Sequence, residues 1–334
     1  MSAGVGGPGI IALPVPTPFA VGRVNCYLIE DDPLTLVDAG PNSGTSLTVL
    51  EAALRAHGRA VEDLERIVLT HQHIDHIGLA KILADRSGAE VVALDVLAPW
   101  LASYGKQIEA DDVFAEELML RNGIPREIGI ALRAVTASFR GWGSAVDVTR
   151  TVSEGDVLEF AARSWRVHRR PGHSPSDTVF HDEASGELMG GDHLIKHISS
   201  NPLISRSLPG DAPSDGGAHR PRALLMYMDS LRATRAMDLR IVYSGHGDPV
   251  EDHRALIDER FEGYERRAHK IAGIIGDGEP KSGFEIAQAM WGNVAVTQAF
   301  LTLSEVLGHV DLLLERGEVV EVESDGVVRF APSA

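Results

Sequence analysis

The stretch Leu69–Gly78, LTHQHIDHIG, places three histidines and an aspartate within the six residues from His71 to His76. It follows an apolar β-type run, RIVLT, and leads into a helix expected to start near Ile77. That order puts the hexad on a strand-to-helix loop at a strand's C-terminal end, where α/β folds place their sites. In an extended turn His71 and His73 point the same way, because side chains repeat with period two, and Asp75 and His76 fall beyond the bend. Histidine is the commonest metal ligand among side chains. Two sets of ligands could therefore face two neighbouring metal ions.

The surroundings support an α/β reading. Residues 20–95 alternate short apolar runs (GRVNCYLIED, LTLVDAG, ERIVLTH, AEVVALD) with helical patterns that end at Gly58 and Gly88. The Pro/Gly-rich pieces near 8–18 and 208–217 read as loops. Residues 96–143 break the rhythm with two amphipathic helices, an insertion carrying Phe114, Leu118, Met119, Phe139 and Trp142. Short strands return from Val146 to Asp192. A helix near 222–237 and the strand RIVYSG follow, and then three helices and a hairpin turning at Asp325-Gly326. This implies a catalytic domain over 1–255 and a C-terminal helical, winged-helix-like region over 256–334.

Three later segments repeat the pattern of strand, glycine and ligand-type residue. His173 lies in RRPGHSPSD, Asp192 in LMGGDH and His246 in VYSGHGDP. Glycine permits the sharp turns and close backbone approach that converging loops need. Neutral imidazole and carboxylate suit zinc, iron or manganese. Seven such residues exceed one tetrahedral zinc, whereas two metals can share a bridging carboxylate. The remaining histidines, at 57, 168, 181, 219, 253, 269 and 309, match no such pattern and are expected on the surface or in the core.

THQHIDH resembles the HxHxDH signature of the metallo-β-lactamase superfamily, and PGHSPSD, GDH and SGHGDP are similar to its later motifs in the same order. The resemblance spans roughly residues 20–260. It implies an αββα sandwich with the site at one edge of two packed sheets. It implies a first metal on His71, His73 and His173, a second on Asp75, His76 and His246, and Asp192 bridging them. Zinc is the family's usual metal, with iron or manganese in some branches. The expected cofactor is thus two divalent metal ions. Asp75 is expected to take part in catalysis, and Asp38 of LVDAG to orient a ligand histidine from behind. His193 and His197, just after Asp192, are expected at the pocket, His193 in substrate contact or proton transfer. The insertion is expected to act as a lid whose Phe114, Leu118, Phe139 and Trp142 give the pocket an apolar wall.

Charge narrows the partners. The net charge of −17 disfavours polyphosphate. From Lys281 onward three basic residues, Lys281, Arg316 and Arg329, stand against eight acidic ones, so the tail is expected to pack or to form a homodimer and not to track nucleic acid. No secretion signal and no membrane span is evident, which implies a cytoplasmic protein. Cys26, the sole cysteine, reads as a small buried hydrophobe. The expected activity is hydrolysis of a small ester, thioester or lactone by a metal-held hydroxide. Phosphoester hydrolysis is the alternative, and iron-dependent redox chemistry on the same fold a further one.

Overall fold

The computed structural model describes residues 9–209, 220–276 and 278–333. Residues 210–217 of the second Pro/Gly-rich piece and His219 lie outside the described residues.

Six strands form the first sheet, in sequence order: β1 (Ile10–Val15), β2 (Val24–Ile29), β3 (Thr35–Val37), β4 (Arg66–Val68), β5 (Glu90–Leu94) and β6 (Arg150–Val152). The first three pair antiparallel, and β3 to β6 pair parallel. Five strands form the second sheet: β7 (Val157–Glu159), β8 (Ser164–Arg169), β9 (Thr178–Asp182), β10 (Glu187–Gly191) and β11 (Ile241–Ser244). There β10 and β11 run parallel and the others antiparallel.

Strand alternation divides the core into layers. Tyr27, Val68, Val92, Trp165, Phe180 and Tyr243 pack between the sheets. Their strand neighbours Cys26, Leu28, Ile67 and Val91 face the other way, into a layer shared with helices α1 (Gly44–Ala56), α2 (Ile74–Ile77), α3 (Ala80–Ser87) and α4 (Ala98–Ala102). Both faces of the central strands are therefore covered, which is why they read as nearly continuous apolar runs. On the outer face of the second sheet, Val179, Leu188 and Val242 join α7 (Ala223–Arg235) and α8 (His253–Ile275). The layers are α, β, β, α.

The insertion is helical: α5 (Tyr104–Arg121) and α6 (Arg126–Phe139) pack against each other. The chain then ends in α9 (Gly283–Trp291), α10 (Val294–Thr297), α11 (Ala299–Glu315) and a small sheet of β12 (Lys281–Ser282), β14 (Val327–Pro332) and β13 (Val319–Ser324). A reciprocal cap between Ser282 and Glu285 starts α9. The hairpin turns at Asp325 and Gly326, both at positive φ, as a type I′ turn requires. Leu118 and Met119 of α5, Tyr264 and Ile271 of α8, and Leu303 and Leu307 of α11 belong to one apolar cluster with the second sheet.

Two local differences from the sequence reading have clear causes. The expected loop near 8–18 contains a strand, β1, despite Pro14. β1 is an edge strand, where a missing N–H costs no ladder bond, and Ile10, Leu13 and Val15 are buried. The helix expected from Ile77 is split, with one turn already formed at Ile74–Ile77, so Asp75 and His76 are helical residues.

Candidate metal centre

β3 and β4 run parallel in one sheet, and β8, β10 and β11 share a direction in the other, so their C-terminal ends meet at one edge of the sandwich. Backbone bonds join the sheets there: Thr178 N donates to Thr70 O at 3.0 Å, and Asn25 N to Gly245 O at 2.7 Å. Asp38 follows β3, His71 to His76 follow β4, and His173, Asp192 and His246 follow β8, β10 and β11.

Seven side chains converge at this edge in three overlapping groups: His71, His73 and His173; His71, His76 and Asp192; and Asp75, His76 and His246. His73 Nδ1 lies 3.1 Å from His71 Nε2 and 3.0 Å from His173 Nε2. One proton cannot satisfy both contacts, whereas nitrogens about 3.3 Å apart are what a tetrahedral zinc at about 2.0–2.1 Å from each would require. Asp192 stands between the groups. Its Oδ1 is 3.5 Å from His76 Nε2, and its Oδ2 is 3.5 Å from His173 Nε2 and 3.4 Å from His246 Nε2. Asp75 Oδ2 is 3.4 Å from His246 Nε2. His76 Nε2 and Asp192 Oδ1 are buried without a hydrogen-bond partner. Imidazole nitrogens and carboxylate oxygens aimed at a common centre, two of them without a partner, fit a divalent cation, which would take the place of any proton they carry.

The outward nitrogens of three of these rings are held. His76 Nδ1 donates to Asp38 Oδ2 at 2.7 Å, and His246 Nδ1 to the carbonyl of Arg23 at 2.8 Å. Thr70 Oγ1 donates to the Asp38 carboxylate at 2.9 Å and lies 2.9 Å from His71 Nδ1, from which it accepts. Each of these bonds fixes its ring with Nε2 turned toward the centre. Asp38 thus sets two rings, one directly and one through Thr70, a residue that no motif singled out. Its φ of 57° places it in the left-handed region, an uncommon conformation for a residue with a side chain.

Electrostatics separate two pairs of these histidines. Burial drives His71 well below the ordinary imidazole range, and burial with the neighbouring His173 lowers His73 to about 3. Burial also opposes charge on His76 and His246. Asp192, Asp38 and Asp75 nevertheless hold His76 well above its usual range, and bonds to Asp192 and Asp75 raise His246 to about 9. Against the cost of burial, the same histidines hold Asp192 well below the carboxylate range. His71 and His73 are neutral imidazoles, whereas His76 and His246 belong to a histidine–carboxylate network.

A cavity of about 740 Å³ opens on this edge and is lined by His73, Asp75, His173, Asp192 and His246. The structure brings Phe114 to its wall. It does not bring the other expected wall residues there. Leu118 lies in the core beside α7 and α11, and Phe139 stands behind the wall, 5.6 Å ring to ring from the lining residue Phe19. Trp142 contributes its backbone carbonyl, which accepts from Asn42 N at 2.7 Å and closes the insertion onto the loop after β3. His193 is a correction. It follows Asp192 directly, but its ring turns to the opposite side, and its Nε2 meets Thr234 Oγ1 of α7 at 2.8 Å. Burial lowers it to about 3, so it is a neutral core histidine. His197 also lies outside the lining and packs against Gly247. Sequence reading missed Phe19, Val21, Ile195, Ile198 and the segment Thr297–Leu301, all at the cavity. Their type is ordinary and their positions are far apart, so only the fold unites them.

No helix among the described residues is long and apolar enough to cross a membrane. Residues 20–246 match the profile of the metallo-beta-lactamase superfamily. The chain is 34% identical over 304 residues to a probable metallo-hydrolase of Bacillus subtilis, YqjP, covering 91% of this chain and 92% of that one. A beta-lactamase domain protein from Burkholderia ambifaria superimposes with a TM-score of 0.81 at 27% identity, over 99% of this chain and 94% of the other. A metallo-beta-lactamase family protein from Thermus thermophilus does so with 0.78 at 25% identity, over 97% and 99%. With the motifs, the αββα layers and the convergent histidines and carboxylates, these likenesses establish that the chain belongs to the metallo-beta-lactamase superfamily and is a metal-dependent hydrolase.

Proposed function

We propose that this enzyme holds two divalent metal ions and hydrolyses an ester, thioester or lactone whose acyl part is apolar. In this reading His71, His73 and His173 hold one ion, Asp75, His76 and His246 the other, and Asp192 both. When bound there, such ions would supply a hydroxide at neutral pH and polarise the substrate oxygen. The observation that carries the choice of substrate is the character of the cavity above the candidate ligands. Its walls are mostly aliphatic and aromatic, with Phe19, Val21, Ile108, Phe114, Leu132 and Ile204 among them.

The cations at this cavity are engaged by carboxylates. Arg206 donates to Asp111 at 3.0 Å and Arg133 to Glu116 at 2.8 Å. Neutralised arginines and a net charge of −17 suit an uncharged carbonyl better than a phosphoester, which needs unspent positive charge. Asp75 lines the cavity, with its Oδ2 3.4 Å from His246 Nε2, and in this reading its carboxylate also takes the proton of the attacking water. The apolar walls exclude bulk water and orient the carbonyl toward that edge.

Metal analysis with a substrate panel tests this reading. Close to two equivalents of zinc, manganese or iron, and turnover of esters, thioesters or lactones above phosphoesters, are expected. Less than one equivalent, with no hydrolysis after zinc or manganese is added, would defeat it. His73→Ala should abolish activity, and Asp192→Ala should lower the bound metal to one equivalent or less.

A further inference from the structure

The cavity is closed by three segments: the insertion, the loop after Asp192, and the stretch Thr297–Leu301, which ends α10 and starts α11. The third comes from the C-terminal region, more than fifty residues beyond the last candidate metal ligand. It is held firmly. Leu303, Val306, Leu307 and Val310 bury α11 against the second sheet's outer layer, and Ala299 is buried with them. The loop after Asp192 is tied to the same helix, since Ile204 N donates to the buried Ser304 Oγ at 3.4 Å. Phe300 is partly buried against that layer, yet Leu301 keeps 41% of its surface exposed while lining an apolar cavity. An apolar side chain fixed on a rigid helix start and left uncovered in a concave wall gains most when a ligand's apolar part covers it.

We infer that Phe300 and Leu301 determine acyl-chain specificity. With Ile198 and Leu203 from the loop after Asp192, and Phe114 and Leu132 from the insertion, they form a chamber for an unbranched acyl chain longer than those of simple acetyl or butanoyl esters. The C-terminal region is then part of the substrate site. The inference rests on the carbonyl-hydrolase reading above for its chemistry, and on the shape and lining of the cavity for its specificity.

The test compares acetyl, butanoyl, octanoyl and decanoyl p-nitrophenyl esters on the zinc-loaded full chain. The wild type is expected to gain about fourfold in kcat/KM per added methylene until the chamber fills, the gain residing in KM. Leu301→Trp, which fills the chamber from an exposed position, is expected to lower the decanoyl-to-acetyl ratio by at least about tenfold. Leu301→Ser, which removes contact without adding bulk, should lower it in the same direction. Val320→Ser, on the exposed face of β13 and outside the cavity, should keep the wild-type ratio. A wild type indifferent to chain length, or Leu301 variants with the wild-type ratio, would overturn the inference while acetyl ester turnover left the hydrolase reading intact. If no ester is hydrolysed at any length, the ester branch of the proposed function fails, and calorimetry with butanol, hexanol and octanol decides the chamber. Affinity that rises with length and is weakened by Leu301→Trp upholds it. Affinity independent of length or of that substitution overturns it.

Discussion

At residue scale, Asp38 does more than any other group outside the candidate ligands. One carboxylate accepts from Thr70 N, Thr70 Oγ1 and His76 Nδ1, and so governs the rings of His71 and His76 together. Asp38→Asn keeps the shape and tolerates the left-handed backbone, but one of its two terminal atoms becomes a donor facing a donor. It should lose about 10–100-fold in metal affinity, read by competition with a chromophoric chelator, with the fold retained by circular dichroism. Unaltered affinity would remove Asp38 from the metal-holding machinery. Gly245, just before His246, is equally committed. A methyl group there would collide with Asp192 Oδ1 and crowd His76 Cε1 at 2.8 Å. Gly245→Ala should therefore strip metal and activity, and cost about 1–3 kcal/mol in denaturant unfolding. The seven converging side chains were legible in the sequence because ligand types crowd into one strand-end hexad and recur after glycines at three later strand ends. His193 was not, since adjacency to Asp192 does not say on which side of the turning backbone a ring emerges. Thr70 gave no signal either, because a threonine ending a strand is ordinary until its carboxylate partner is brought beside it.

At the scale of elements, α5 separates two kinds of apolar residue that the sequence presents alike. Phe114 and Leu118 are one helical turn apart, yet Phe114 lines the cavity and Leu118 is 7% exposed in the core shared with α7 and α11. Alanine at each should act on different observables. Phe114→Ala should raise KM for bulky substrates several-fold with little change in melting temperature. Leu118→Ala should cost about 2–5 kcal/mol of stability and leave KM close to wild type. Equal effects on both observables at both positions would show that the helix does not divide wall from core in this way. The insertion itself was legible from its break in strand rhythm and its 3.6-residue pattern. Its orientation was not, because an amphipathic face specifies burial but not the partner it is buried against. The same limit hid β1, whose proline reads as a breaker until its strand is seen at a sheet edge. The apolar runs of β2 and β5 and the alternation of β8 were readable as strands, but the two packed sheets were expected only from the family resemblance, because a strand's pattern does not say which strands it pairs with.

For the whole molecule, the decisive property is that the candidate centre belongs to neither sheet alone. His71, His73, Asp75 and His76 descend from the first sheet, and His173, Asp192 and His246 from the second. In the folded chain His73 Nδ1 is held 3.1 Å from His71 Nε2 and 3.0 Å from His173 Nε2, and the buried atoms His76 Nε2 and Asp192 Oδ1 go without partners. That arrangement is unfavourable by itself, and the unfolded chain does not maintain it. A cation that binds the folded edge therefore stabilises the join between the sheets, by about 2.7 kcal/mol when its free concentration is a hundred times its dissociation constant. For a chain of this size that corresponds to a rise in melting temperature of about 4 °C. Chelation should lower the melting temperature of the loaded protein by that amount, and zinc or manganese should restore it. The shift should shrink in Asp38→Asn, whose ring-holding bonds are impaired, and persist in Phe114→Ala, whose defect lies in the wall. An identical melting temperature with and without chelator would mean that the edge is stable as an apolar and hydrogen-bonded seam alone, through bonds such as Thr178 N to Thr70 O, with the metal a guest of a finished fold. The nitrogens crowded around His73 argue for the first outcome, because its single Nδ1, whether lone pair or N–H, cannot make two linear hydrogen bonds at once.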